Sequence, residues 1–201
     1  MIGFRVRVDD SATRKALKGL QDDMQAKVLQ PAINKVAEKA KAEVNRAITS
    51  EFAVKTNEVR NAINLRKARK GNLEAVIEIF GSARKRGRSL NMIHFLAAVR
   101  GMAVRGKRAK KGELKAIDRQ LGFLIKKAGG LKRIEGAFLG NKGRTVFRRV
   151  GKDRLPIEPL QVIGFSQMFS SRRISKRVMD KINADLPVEI DRSIKLLIGR
   201  R

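Results

Sequence analysis

Cysteine, tryptophan and tyrosine are absent from this chain of 201 residues, histidine occurs once and proline four times. Each shortage excludes something. Without cysteine there is no disulfide and no thiolate metal site. With His94 as the sole imidazole, a zinc site would need carboxylates around it, and none lies at ligand spacing. His94 stands between Ile93 and Phe95, the setting of a structural histidine. Ser82, Ser89 and Ser166 occupy no nucleophile elbow. Acidic residues are scarce, most of them beside basic residues on amphipathic stretches, and no pair stands out for acid–base work. No apolar run approaches the ~20 residues that cross a bilayer. The opening MIGFRVRV lacks the basic-then-apolar order of a signal peptide. The expectation is a soluble protein that is not an enzyme, with no cofactor, no metal and no membrane contact.

Positive charge is what the chain has in excess. Lys and Arg number 47 against 19 Asp and Glu, a formal net charge of +28. Self-repulsion at that charge opposes compaction unless a polyanion or an acidic partner neutralises it. Nucleic acid is the first candidate and an acidic protein surface the second. A membrane surface ranks third, because no segment joins a basic face to exposed Trp or Phe anchors. Hydrophobic residues make up 42%, enough for a core, so the chain is not read as disordered. Its length suits one domain, residues 1–201, with room for a long arm.

Hydrophobic periodicity outlines the elements. Ile2, Phe4, Val6 and Val8 alternate with Arg5 and Arg7, which predicts a half-buried strand. Asp9, Asp10 and Ser11 then offer helix caps ahead of a stripe of Leu17, Leu20, Met24 and Val28. Pro31 is expected to begin a second helix. In that helix Ile33, Val36, Ala37, Ala40, Val44, Ala47 and Ile48 recur at steps of three and four. Thr56 and Glu58 open a short third helix to about Ile63. Residues 73–80 alternate as a strand, and residues 91–96 read as a further one. Residues 134–139 and 145–150 flank Gly140, Asn141, Lys142 and Gly143, the pattern of a hairpin. That loop lacks the spacing of a nucleotide-binding glycine motif. Ile174, Val178 and Ile182, then Ile190, Ile194 and Leu197, mark a last helix that Pro187 should kink or restart. The sum is an α+β fold: a small, mostly antiparallel sheet packed against long helices.

Residues 100–133 depart from core composition. They are rich in Lys, Arg and Gly, with one helical patch around Leu114, Ile117, Leu121 and Leu124. We read them as a basic extended arm or insertion. Candidate contact residues for DNA or a protein partner gather there and just before it. They are Arg84, Lys85, Arg86 and Arg88, then Arg105, Lys107, Arg108, Lys110 and Lys111, and finally Lys126, Lys127, Lys132 and Arg133. Such runs neutralise phosphates without reading bases. With aromatics at 4%, all phenylalanine, base-stacking platforms are not expected. A solvated surface meeting acidic protein neighbours stands open beside the phosphate reading.

Residues 134–169 read IEGAFLGNKGRTVFRRVGKDRLPIEPLQVIGFSQMF. The pieces that matter are Gly136, Ala137 and Phe138, then Val146-Phe147-Arg148-Arg149 and Gly151-Lys152. They are followed by Arg154, Leu155, Pro156 and Ile157, and by Gln167-Met168-Phe169. Upstream stand Ala32-Ile33-Asn34-Lys35-Val36-Ala37 and Val54-Lys55-Thr56. Together these resemble the prophage minor tail protein Z family of tailed bacteriophages. The stretch between Phe95 and Ile134 departs from the family by its greater length. The resemblance implies a structural, tail-completion role at the head-proximal end of the tail, or neck, needed for productive head–tail joining and DNA passage. It implies a homo-oligomeric ring, sixfold favoured and twelve subunits the alternative. The implied neighbours are the tail terminator, tail tube and connector, with packaged DNA as a further contact. The implied location is the virion, after assembly in the host cytoplasm. The competing reading, which composition alone would favour, is a sequence-nonspecific nucleic-acid-binding protein. A nuclease ranks below both, since no acidic metal cluster is visible.

Overall fold

The computed structural model describes residues 22–82, 89–97, 121–151 and 153–199. Its backbone is α+β, as the periodicity predicts. Helix α1 (Asp22–Glu51) is followed by the short α2 (Thr56–Ala62), and helices α3 (Phe165–Phe169) and α4 (Arg172–Ile198) close the chain. Among the described residues nine short strands lie between α2 and α3: β1 (Ile63–Arg66), β2 (Val76–Ile79), β3 (Ser89–Asn91), β4 (Gly122–Phe123), β5 (Lys132–Arg133), β6 (Ala137–Gly140), β7 (Thr145–Arg149), β8 (Ile157–Pro159) and β9 (Gln161–Ile163). They do not form one sheet. They divide into four antiparallel sheets, ordered β1-β2, β3-β9, β4-β5 and β6-β7-β8.

The two long helices are the frame. Val36, Ala40, Val44, Ala47 and Ile48 of α1 are buried, as are Ile174, Val178, Ile182, Leu186 and Ile190 of α4. The stripes read from sequence are therefore the packed faces. The alanines leave little bulk between the helix axes. The ion pairs Lys39–Glu189 and Glu51–Arg173 occur in opposite order along the two helices, so α1 and α4 run antiparallel.

Neither proline starts a helix. Pro31 lies inside α1 and Pro187 inside α4. Proline removes the hydrogen bond to the carbonyl four residues earlier. Here Pro31 and Lys27 are both exposed, as are Pro187 and Asn183. Each lost bond therefore falls on a wet face, where solvent can satisfy the freed carbonyl.

Other expectations need correction. The short helix ends where expected, with Ile63 as its C-cap, but Ile63 also opens β1, whose four residues pair with β2 from Ile63↔Ile79 to Arg66↔Val76. The strand expected over 73–80 is paired only as Val76–Ile79. Residues 91–96 are not a strand: Asn91 ends β3 and Met92–Phe95 form a 3-10 turn. The Asn91 side chain causes this turn, its Oδ1 accepting from the Ile93 N–H at 3.0 Å. The hairpin predicted around residues 140–143 is present as β6 and β7.

The strand expected at residues 2–8 lies outside the described residues, as do positions 100–120 of the arm. The described end of the arm is not an appendage. Leu121 and Phe123 are 5% and 0% exposed within the main core. Gly122 and Phe123 are strand, so Leu121 and Leu124 do not extend a helix. Phe123 bridges Leu96, Lys126 bridges Phe52, and the Ala53 N–H donates to the Ile125 carbonyl at 3.0 Å. Burial of the Phe123 ring removes enough apolar surface to hold this segment against the helices. No helix among the described residues is long and apolar enough to cross a membrane.

Candidate interaction surfaces

The sheet β6-β7-β8 carries most of the distinctive motif and presents two unlike faces. The turn between β6 and β7 takes three successive residues into the left-handed region, with φ of 50° at Asn141, 54° at Lys142 and 79° at Gly143. Asn and Gly suit that conformation; Lys142 is the unusual member. The strands pair as Phe138↔Phe147, Leu139↔Val146 and Gly140↔Thr145, and β8 adds Phe147↔Pro159 and Arg149↔Ile157. Side chains alternate across the pleat. Val146 therefore points to the core and is fully buried. Phe138, Phe147, Arg149, Ile157 and Pro159 share the opposite face.

That outer face is apolar and only partly covered. The rings of Phe138 and Phe147 stack with centroids 6.1 Å apart, and the Arg149 guanidinium lies 5.5 Å from the centre of the Phe138 ring. Gly140 makes the arrangement feasible, since a Cβ there would stand 2.7 Å from Phe147 Cδ2. Beyond the rings, Val150, Leu155 and Ile157 are exposed at 54%, 68% and 38%. Gly136 takes φ of 71°, and the Leu155–Pro156 peptide is cis. Gly136, Ala137, Phe138, Leu155, Pro156 and Ile157 thus belong to one small sheet and its exit loop. Arg154 stands exposed on that loop.

Two asparagines hold backbone segments in place, Asn91 at this sheet and Asn34 at the loop that follows β1, and neither role was read from the sequence. Asn91 grips Val146 from both sides, its Oδ1 accepting from the Val146 N–H at 2.9 Å and its Nδ2 donating to the Val146 carbonyl at 3.2 Å. Asn34 does the same to Ala68, accepting from its N–H at 2.7 Å and donating to its carbonyl at 3.1 Å. Each side-chain amide meets both the donor and the acceptor of one backbone residue. The available signal for Asn34 was an amide set next to Ile33 in an otherwise apolar and alanine-rich stripe.

Charge seals the helix seam. Glu43 and Glu189 are 8% and 5% exposed. Glu189 accepts from Lys39 Nζ at 2.6 Å, and Glu43 from Arg177 Nε at 2.7 Å. The hydrogen bond from Lys39 holds the Glu189 carboxyl below the usual carboxylate range, and the same bond raises Lys39 above the usual lysine value. Glu38 is lowered in the same way by Lys67, chiefly through their hydrogen bond. His94 meets Glu58 at 2.8 Å and ties the 3-10 turn to α2. Among the described residues no group of three or more His, Asp or Glu could hold a metal ion.

Of the basic clusters, Arg84, Lys85, Arg86, Arg88, Arg105, Lys107, Arg108, Lys110 and Lys111 lie outside the described residues. Lys132 and Arg133 are exposed on β5. Lys126 and Lys127 are exposed beside the C-terminal end of α1, with Lys126 Nζ 6.0 Å from the Phe52 ring centre.

A search of curated proteins and a search of solved structures each return no match. The family model described as prophage minor tail protein Z matches residues 9–200. The matched span includes both long helices, the two asparagine clamps and the whole outward-facing sheet. The chain belongs to the prophage minor tail protein Z family.

Proposed function

We propose that this protein is a non-enzymatic structural subunit of a phage tail that forms a ring at the head-proximal end. The outer face of β6-β7-β8 supports this reading most directly. Among the described residues, Phe138, Phe147, Ile157 and Leu155 form an apolar surface that the core does not cover. A subunit in a ring has two unlike contact surfaces, each matched to a different surface of its neighbour. A partly covered aromatic patch rimmed by Arg149 and Arg154 fits the core-and-rim pattern of such a contact, with aromatics and Arg enriched. Sixfold symmetry is the favoured closure and twelve subunits the alternative. The tail terminator, tail tube and connector are the proposed neighbours.

The test is to remove the protein and to locate it. Deletion should leave heads and tail tubes that form but give no infectious particles. Imaging of wild-type particles should place ring density for this subunit at the neck. Normal titres from the deletion, or density elsewhere along the tail, would overturn the assignment. Elemental analysis of purified particles should find no stoichiometric metal on this subunit.

A further inference from the structure

One cleft of about 790 Å³ lies where the C-terminal turn of α1, the turn at Lys126–Ala128 and the first turns of α4 converge. Four cations line it: Lys126, Lys127, Arg173 and Arg177. Glu51 is the one acid in the lining. The two lysines are easily explained, because cations suit the negative C-terminal end of α1. The arginines pair with Glu43 and Glu51, but the helix dipole does not favour them. Arg172, Arg173, Lys176 and Arg177 crowd the N-terminal end of α4, where the helix dipole is already positive. That helix has no acidic residue in its first turn, and Ser171 at its cap makes no capping hydrogen bond with its side chain. Four cations and no acid at that end run against the stability of an isolated helix. Violations of local rules concentrate where a site is being built.

The arginines are also held in place. The buried Glu43 accepts from Arg177 Nε at 2.7 Å, and Glu51 meets Arg173 Nε at 3.3 Å. Both carboxylates engage through Nε. A guanidinium has five N–H donors, so one fixed by its Nε retains others for a ligand. A buried carboxylate that orients an exposed arginine is the second layer of a preorganised anion site.

We propose that this cleft seats the sugar–phosphate backbone of DNA. The lining supplies Ala47, Ala128 and Ile174 as its only apolar side chains, too little for the apolar centre that a protein partner would need. Phe52 is buried, so no aromatic face is offered for bases to stack on. What remains is point charge and forked donors at a helix N-terminus, the chemistry of phosphate contact without sequence readout. A net charge of +28 favours a polyanion that releases counterions along its length over a single carboxylate. The cleft and the net charge carry this reading whatever position the ring takes in the particle.

The test uses the full-length protein and a fluorescent duplex DNA of mixed sequence, with anisotropy measured over a range of NaCl concentrations. Lys126→Gln/Lys127→Gln leaves every ion pair of the helices intact, and both positions are exposed, so the fold should survive; a thermal melt checks this. Each lost phosphate contact reduces the slope of log affinity against log salt by about 0.9, so this variant should lose about 2. Adding Arg173→Gln should bring the loss to nearly 3 by the same rule. Lys142→Gln/Arg144→Gln, which removes the same charge from the hairpin tip, should change the slope far less. Equal losses from the two double variants, or no loss from the first, would overturn the site. Polyglutamate that displaces the labelled duplex as well as unlabelled DNA of equal charge would assign the cleft to an acidic protein segment and overturn the DNA proposal.

Discussion

The α1–α4 pair and the β6-β7-β8 sheet solve opposite problems with the same chain. The helix pair is complete in itself. The alanine-rich face of α1 closes on the Ile, Val and Leu stripe of α4, and the buried Glu43 and Glu189 carry partners. The sheet is complete on one side only. Val146 enters the core, while Phe138, Phe147 and Ile157 face outward. The contrast teaches where stability and assembly are separated: substitutions in the first region should unfold the chain, and substitutions in the second should leave it folded but alone.

The largest expected effect is in the helix pair. Ile182→Ala removes a side chain that is 2% exposed between α1 and α4. It should cost about 2–5 kcal/mol, read from denaturant unfolding. A cost below about 1 kcal/mol would mean that the helices are not the main core. Next comes Asn34→Ala, which strands the N–H of Ala68 and leaves its carbonyl only the 3.4 Å bond from Gln30 Nε2. The expected loss is about 1–3 kcal/mol, the cost of leaving buried polar groups unmet. Asn34→Asp should recover part of it, since a carboxylate accepts from the N–H but cannot donate to the carbonyl.

Smaller still is the pH dependence of the seam. Glu189 is lowered in the folded state, so its contribution is present above the usual carboxylate range and fades as the pH falls through its folded value. Lys39 is raised, so its contribution is present below the usual lysine value and is lost as the pH rises through its folded value. Stability should therefore hold a plateau at intermediate pH and decline at both ends. Glu189→Gln should flatten both declines in melts across pH. Equally steep declines in that variant would remove the pair from the account. The smallest effect expected on folding is that of Phe138→Ala, about 1 kcal/mol or less, because the ring is only half buried and its stacking is worth little more.

Where the sequence was legible, one period dominated. The stripes of α1 and α4 fix which faces are buried, because a long helix repeats its message over many turns. The hairpin was legible through its turn chemistry at Asn141 and Gly143. Strand β1 was hidden because Ile63 continues the short α2 pattern, and four residues are too few to display alternation. Pro31 misled for a different reason: it lies on a solvent face, where a missing N–H costs a helix least. The dense Lys and Arg of the proposed arm masked Leu121 and Phe123, two core residues within a basic stretch. The surface sites were least legible. The motif named the residues of the outward sheet but not their shared face. The cleft joins residues from three separated segments and has no linear signature.

The most direct test of the central claim is a single paired measurement on Phe138→Ala/Phe147→Ala. Its thermal melt is compared with wild type, and its copy number is counted in purified particles from cells that carry only the variant. The account predicts a melting temperature within a few degrees of wild type and particles that lack the subunit. Normal incorporation of the variant, or a melt as depressed as that of Ile182→Ala, would contradict it.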